Sequence, residues 1–290
     1  MRLFEGRPLA NPDEDIFDQG LAFDLETLVA RRQVLKLIGL ATAGGGLLAL
    51  AACLPTARSG GIASAGASAS SGASSTSGAD CAVIPEETAG PFPGDGSNGP
   101  DVLNQSGVVR SDIRSSFGSS SGTAQGVPLT IKLAIQDMAK GCAPMAAAAV
   151  YVWHCDRDGN YSLYSQAASG ENYLRGVQAA GDDGIVTFQS IFPACYSGRW
   201  PHIHFEVYPS LDKATDQGNK IATSQVALPK GICDQVYAKD GYSQSVRNLS
   251  QVSLQSDNVF GSDGGAHQIG AMSGRIDSGL TLTLAVPVGA

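Results

Sequence analysis

Residues 202–207 alternate between polar and apolar side chains, and this alternation constrains the fold more than any other feature of the chain. Successive side chains of a β-strand point to opposite faces, so a strand here has one polar face and one apolar face. The apolar face comprises Ile203, Phe205 and Val207, and the polar face comprises His202, His204 and Glu206. One face can join a hydrophobic core while the other lines a site, where two imidazoles can reach one metal ion.

The same period of two recurs in other segments and predicts an all-β fold. Two further apolar faces comprise Leu129, Ile131, Leu133 and Ile135, and Leu280, Leu282, Leu284 and Val286. We also expect strands over residues 150–153 and 185–188, with Asp182-Asp183-Gly184 forming a turn before the second. No long amphipathic helix and no internal repeat is evident in the sequence. The pattern predicts a β-sandwich of mostly antiparallel strands with long loops and little helix.

Residues 1–53 have the organisation of an export signal behind an acidic N-terminal extension. Arg31-Arg32 and its neighbours resemble a twin-arginine signal, and the apolar run that follows is shorter than the roughly 20 residues of a membrane-spanning helix. The run ends at Leu50-Ala51-Ala52-Cys53, which resembles a bacterial lipoprotein cleavage box. We therefore expect an exported protein that is anchored at the outer face of the cell membrane through lipidated Cys53, or secreted. An uncleaved anchor helix is the alternative.

Residues 54–80 are rich in Ser, Ala and Gly, a composition that buries too little apolar surface to fold. We interpret this segment as a flexible linker, and residues 81–290 are long enough to form one all-β domain. The net charge of −8 disfavours a nucleic-acid partner, because such proteins carry a basic patch.

The chain has six cysteines, and none forms the C-x-x-C pair that would indicate a zinc ribbon. Export would place the five cysteines after Cys53 in an oxidising environment, where disulfides form. Five thiols permit at most two bridges within one chain, and their spacing does not determine which residues pair.

A tyrosine and an arginine lie just before the two histidines of the predicted strand. Tyr196 can add a phenolate to the imidazoles of His202 and His204, and Arg199 adds a fixed positive charge. Nitrogen and phenolate donors together suit an oxidised, hard iron better than a structural zinc. This segment therefore predicts a redox metal site.

Three further segments complete an ordered pattern. They are residues 150–162, which end in an Asp/Gly turn and Tyr161; residues 174–188, which begin Leu174-Arg175-Gly176; and Thr88-Ala89-Gly90-Pro91-Phe92. Together with Tyr196, Arg199, His202 and His204, this order resembles the intradiol ring-cleavage dioxygenases, the family of protocatechuate 3,4-dioxygenase and catechol 1,2-dioxygenase. The resemblance covers about residues 81–288 and is closest to exported single-chain members related to the protocatechuate β subunit.

The resemblance implies a non-haem Fe(III) held by Tyr161, Tyr196, His202 and His204. Fe(III) is a strong Lewis acid that keeps phenolates deprotonated, although a free tyrosine has a pKa of about 10. It also implies that a catechol displaces Tyr196, which takes up a proton, and that O2 opens the ring to a muconic-acid-type product. Arg199 would stabilise negative charge on the ring, and Gln225 would lie in the pocket.

Some features leave other interpretations open. The family often has Pro-Gly where this chain has Pro193-Ala194-Cys195, and a disulfide between Cys155 and Cys195 would brace the site. His154 could join His202 and His204 in a zinc or copper site, although a partly exposed strand histidine is its simpler interpretation. A tethered β-sandwich that binds a metal or ligand without dioxygenase activity is the alternative function. We expect Trp153 in the core and His267 in solvent.

Overall fold

A computed structural model of the chain describes residues 3–4, 7–8 and 81–289. The twin-arginine segment, Cys53 and the linker over 54–80 lie outside these residues. Within the acidic extension, β1 (Leu3–Phe4) and β2 (Arg7–Pro8) form an antiparallel pair. None of the helices in the described segments is both long and apolar enough to span a bilayer.

The strands of the described domain form two sheets. One sheet has the order β10 (Ala271–Arg275), β11 (Gly279–Val288), β3 (Pro128–Asp137) and β4 (Ala143–Pro144), and β7 (Ile185–Ile191) also pairs with β3. The other sheet has the order β6 (Arg175–Ala179), β5 (Ala149–Trp153), β8 (His202–Tyr208) and β9 (Ala222–Ala227). All of these pairs are antiparallel except β3 with β11. The predicted all-β sandwich of mostly antiparallel strands is confirmed.

The two leucine-rich faces predicted from the sequence lie side by side in the first sheet. In the parallel pair of β3 with β11, Leu129 is opposite Leu280 and Ile131 is opposite Leu282. These side chains pack into one core with the apolar face of β8, represented by Phe205. The alternation that defines the core therefore also directs His202 and His204 to the other face of the second sheet.

Helices are few in the described domain. They are α1 (Lys230–Tyr237), α2 (Ser243–Leu249) and short 3₁₀ turns over Met138–Lys140, Gln166–Ala168, Gln217–Asn219 and Phe260–Ser262. The hydroxyl of Tyr237 donates to the carbonyl of Pro193 at 3.1 Å, and that of Tyr242 donates to Phe192 at 2.8 Å. The helical region thus fixes the backbone that leads to Tyr196.

The segment over residues 84–93, here called the N-terminal strap, runs along both sheets. The amide of Ile84 donates to Pro287 at 2.9 Å, and the amide of Glu87 donates to Thr223 in β9 at 2.8 Å. The Glu86 carboxylate accepts from the amide of Thr223. These contacts place the middle of the strap beside β9.

One disulfide joins Cys81, just before the strap, to Cys142 in the turn between β3 and β4. The expected bridge between Cys155 and Cys195 is wrong, because both are buried free thiols that contact backbone carbonyls instead. The Sγ of Cys155 lies 3.7 Å from the carbonyl oxygen of Ala194, and the Sγ of Cys195 lies 3.5 Å from that of Arg199. Backbone contacts, rather than a bridge, brace this region.

Replacing Cys81 and Cys142 together by serine should lower the free energy of unfolding by about 2–4 kcal/mol, because the bridge closes a long loop in the unfolded chain. Urea denaturation measures this change. The double variant Ser210→Ala/Ser278→Ala, at turn residues, controls for small polar changes. An unchanged unfolding midpoint in the cysteine variant would contradict the assignment of the bridge.

Candidate metal centre

Strand β8 brings His202 and His204 together on the face that points away from the core. Each side chain is 2% exposed, and their Nε2 atoms lie 3.1 Å apart. The strand lies between β5 and β9, so hydrogen bonding on both edges fixes its backbone. The two imidazoles therefore form a rigid pair.

Each imidazole is oriented by a different contact. The Nδ1 of His202 lies 2.6 Å from the carbonyl oxygen of Trp200, which can only accept, so Nδ1 carries the proton. The lone pair of Nε2 is then available to bind a metal. The ring of His204 stacks on Trp153, with centroids 4.9 Å apart and an angle of 6° between planes. Trp153 is the partner of His204 in the register of β5 with β8, and it is buried as expected.

Two tyrosine hydroxyls converge on the same point. The Oη of Tyr161 lies 3.4 Å from the Nε2 of His202, and the Oη of Tyr196 lies 3.1 Å from it. Tyr161 follows a tight turn in which the Asp156 carboxylate accepts from the amides of Asp158 and Asn160. Tyr161 is 2% exposed, whereas Tyr196 is only partly buried.

The three distances from the Nε2 of His202 to the other donor atoms match the spacing of a ligand shell. Metal–nitrogen and metal–oxygen bonds of about 2.0–2.1 Å place neighbouring ligand atoms roughly 3.0–3.4 Å apart. Burial, reinforced by Arg199, lowers the pKa of His202 well below its usual value, which favours the neutral imidazole that metals bind. Burial raises the pKa values of Tyr161 and Tyr196, so the phenolates need a strong Lewis acid. The residues thus fit the ferric ion that the sequence predicts.

Arg199 and Gln225 lie beside this cluster. The Nη2 of Arg199 donates to the Oε1 of Gln225 at 2.7 Å, and Gln225 is the partner of His204 in the register of β8 with β9. The Nε of Arg199 pairs with Asp257 at 2.9 Å, with both side chains buried. Burial alone would lower the pKa of Arg199, but the combined effect of Tyr196 and Asp257 raises it above its usual value. A charged guanidinium therefore stands next to the predicted ligands.

The N-terminal strap forms another wall of the centre. A Cβ at Gly90 would lie 3.1 Å from the Cε1 of His204, and the φ of Gly90 is +72°. The ring of Phe92 lies 5.0 Å from that of Tyr161. The Nε2 of Gln225 donates to the carbonyl of Thr88 at 2.9 Å. The Gly-Pro-Phe segment thus packs directly on two predicted ligands.

Arg175, noted in the sequence only as part of a motif, joins the strap to the loop of Tyr161. Its guanidinium donates to the carbonyls of Phe92 and Pro93 and to the backbone and side-chain oxygens of Ser162. It is 1% exposed. Its contacts bridge segments about 70 residues apart in the chain, which no local sequence pattern reveals.

The three-histidine alternative does not form. His154 is 1% exposed, and its Nε2 lies 2.6 Å from the Oγ of Ser190 in the opposite sheet, so it points away from His202 and His204. The expectation of partial exposure for His154 is also wrong, because it contacts β7 across the sandwich. Over the described residues, no cluster of three or more His, Cys, Asp or Glu could hold a metal. His267 is exposed, as expected.

Comparison with known proteins agrees with this geometry. A family model described as Dioxygenase matches residues 98–213, a range that contains Arg199 and the four predicted ligands. Chlorocatechol 1,2-dioxygenase from Rhodococcus opacus is 42% identical over 53 residues, which are 18% of this chain and 21% of that protein. These matches support a relationship to the intradiol ring-cleavage dioxygenases over residues 98–213.

A solved intradiol ring-cleavage dioxygenase from Tetranychus urticae has the same fold as this chain. The TM-score is 0.56 at 24% identity, over 72% of this chain and 95% of that one. The curated relative from Rhodococcus is matched over about a fifth of its own length. Gln225 and Asp257 lie beyond the range of the family match; the structure places both beside the centre, as the sequence predicted for Gln225 but not for Asp257.

Replacing Gly90 by alanine should weaken metal retention on the order of 10–100-fold, because the new methyl group would displace His204. Metal content after loading and dialysis measures the effect. Gly99→Ala is the matched control, since Gly99 has a φ of +95° but nothing within 4 Å of a Cβ. Equal metal retention in both variants would show that the strap does not position His204.

Proposed function

We propose that the protein is a non-haem Fe(III)-dependent intradiol dioxygenase that cleaves a catechol-type diol with O2 to a muconic-acid-type product. The convergence of two phenol oxygens and two imidazole nitrogens carries this proposal, with nearest separations of 3.1–3.4 Å. The family match over residues 98–213 and the chlorocatechol dioxygenase relative support the same chemistry. When bound, the ferric ion supplies the Lewis acidity that holds phenolates and a catecholate deprotonated.

The two tyrosines are suited to different tasks. Tyr161 is fully buried against Phe92, so it is a fixed ligand. Tyr196 is partly buried and precedes the exposed residues Ser197 and Gly198, so its side chain has room to move. We assign to the Oη of Tyr196 the uptake of a proton from the incoming catechol.

Arg199 supplies the electrostatic contribution. Its buried guanidinium is held by Asp257 and Gln225, and a preoriented positive charge away from water stabilises negative charge that develops on a bound ring. Gln225 holds the guanidinium and, through Thr88, the strap. These residues orient the reacting ring and exclude water from it.

The proposed location is outside the cytoplasm. The order of arginine pair, apolar run and Cys53 supports export with a lipid anchor, and the disulfide between Cys81 and Cys142 fits an oxidising compartment. A twin-arginine route carries folded proteins, which would allow iron loading before export. The substrate and O2 are the proposed small-molecule partners.

We expect Cys53→Ala to move the protein from the membrane fraction to the soluble fraction, because the lipid attachment site is lost. Fractionation of expressing bacterial cells with immunodetection measures this. Ser59→Ala, in the adjoining linker, should leave the protein at the membrane. Membrane retention of the Cys53 variant would refute lipid anchoring at this residue.

The iron-loaded protein should bind one iron per chain and absorb visible light through tyrosinate-to-iron charge transfer. Anaerobic catechol should shift the band, and air should then give O2 uptake. Tyr161→Phe and Tyr196→Phe should each remove one phenolate and lower kcat at least about 100-fold. Absorption spectroscopy, iron analysis and an oxygen electrode provide the measurements.

Tyr208→Phe is the matched control, because Tyr208 is a buried tyrosine whose hydroxyl donates to the Glu206 carboxylate, and Glu206 keeps Lys220 as a partner. It should keep the visible band and the activity. A wild-type protein that stays colourless and iron-free after loading would refute the proposed function.

A further inference from the structure

Asp257 forms a fully enclosed ion pair with Arg199. Their side chains are 0% and 3% exposed, and the Nε of Arg199 lies 2.9 Å from the Oδ2 of Asp257. Among the described salt bridges, the others have at least one partner that is a quarter or more exposed. Removing either partner of an enclosed pair leaves a buried charge uncompensated.

Hydrogen bonds to both oxygens hold the carboxylate of Asp257 in one orientation. Its Oδ2 also accepts from the amide of Trp200 at 2.6 Å. Its Oδ1 accepts from the amides of Val259 at 2.8 Å and Phe260 at 3.1 Å. Four N–H donors therefore surround the two oxygens, and the loop that carries Asp257 is tied to the backbone between Arg199 and His202.

The guanidinium of Arg199 is consequently held from two sides. Asp257 binds its Nε, and the Oε1 of Gln225 accepts from its Nη2 at 2.7 Å. Gln225 is itself fixed by donating to Thr88 and by its carbonyl accepting from the side chain of Gln268 at 3.2 Å. Rotation of the guanidinium would break at least one of these charge-assisted bonds.

We propose that Asp257 is a positioning residue for the reaction, which holds the Arg199 guanidinium in one orientation beside the predicted ligands and balances its charge. The inference rests on the proposed function, because the task of Arg199 is defined by that chemistry. The described hydrogen bonds of Asp257 join it to Arg199 and to the backbone amides of Trp200, Val259 and Phe260, so we infer that it acts through Arg199. Nothing in the local sequence around Asp257 indicates this task.

Asparagine is the informative replacement at this position. An amide has nearly the same shape as a carboxylate, but its NH2 group donates. In Asp257→Asn, the NH2 group must face either Arg199 and Trp200 or the amides of Val259 and Phe260. All of these groups are N–H donors, so the hydrogen bonds on that side are lost. We expect the guanidinium to leave Gln225 in this variant.

The first test uses the iron-loaded full-length protein. Asp257→Asn should lower kcat for catechol on the order of 100-fold, the size seen when one preoriented donor is lost, with KM within about threefold. Iron content and the tyrosinate band should stay at wild-type levels. Asp257→Glu, which keeps the charge, should recover at least about tenfold of the lost kcat.

A double-mutant cycle separates positioning from general structural damage. If Asp257 acts through Arg199, adding Asp257→Asn to an Arg199→Gln protein should change kcat by less than about threefold. If the loss of kcat in the double variant equals the product of the losses in the two single variants, Asp257 and Arg199 act independently and the proposal is overturned. A wild-type kcat in Asp257→Asn would also overturn it.

Asp137→Asn is the matched control. Asp137 is 3% exposed, accepts from the amide of Ala139 and pairs with Lys140, so it is a buried capping carboxylate in the other sheet. Its substitution should leave kcat within about twofold. An equal loss of kcat there would attribute the effect to destabilisation and overturn the assignment.

Crystal structures supply a readout that does not depend on turnover. In Asp257→Asn, the Arg199 guanidinium should move away from Gln225 while the four predicted ligands stay in place; an unmoved guanidinium would overturn the proposal. Inactivity of the wild-type protein would instead count against the proposed function.

If Asp257→Asn does not fold, Arg199→Lys replaces it as the test. Lysine keeps the positive charge but cannot bond to Asp257 and Gln225 with the geometry of a guanidinium, so kcat should fall at least about tenfold. A wild-type kcat in this variant would overturn the positioning role.

Discussion

Four polar donor atoms from Tyr161, Tyr196, His202 and His204 are packed together at one point, and the rest of the domain is arranged to hold them there. Burying such groups costs free energy unless they gain strong partners. A trivalent metal ion bound to all four donor atoms would offset this free-energy cost. The two-residue period of β8 places the histidines, and a tight turn and a helix-braced loop bring the tyrosines to them.

The surroundings are tied together by long-range polar contacts rather than by apolar packing alone. Arg175 joins the N-terminal strap to the loop of Tyr161, while Asp257 and Gln225 hold Arg199. The strap itself is linked to both sheets and begins near a disulfide. Segments that are distant in sequence are thereby fixed around a small volume, which is the preorganisation that catalysis requires.

The sequence predicted what depends on local periodicity and on motif order. The alternation in β8, β3 and β11 correctly assigned core-facing side chains, because strand geometry alone determines the face. It did not predict that Cys81 pairs with Cys142, that His154 contacts Ser190 across the sandwich, or that Asp257 pairs with Arg199. These contacts depend on how loops and sheets meet in three dimensions, and residue spacing carries no information about that.

Anomalous X-ray diffraction at the iron absorption edge, from crystals of the iron-loaded protein, tests the central claim most directly. The account predicts one iron peak per chain, at about 2 Å from the Nε2 atoms of His202 and His204 and the Oη atoms of Tyr161 and Tyr196. A peak at any other group of residues, or no peak in crystals of protein shown to contain iron, would contradict it.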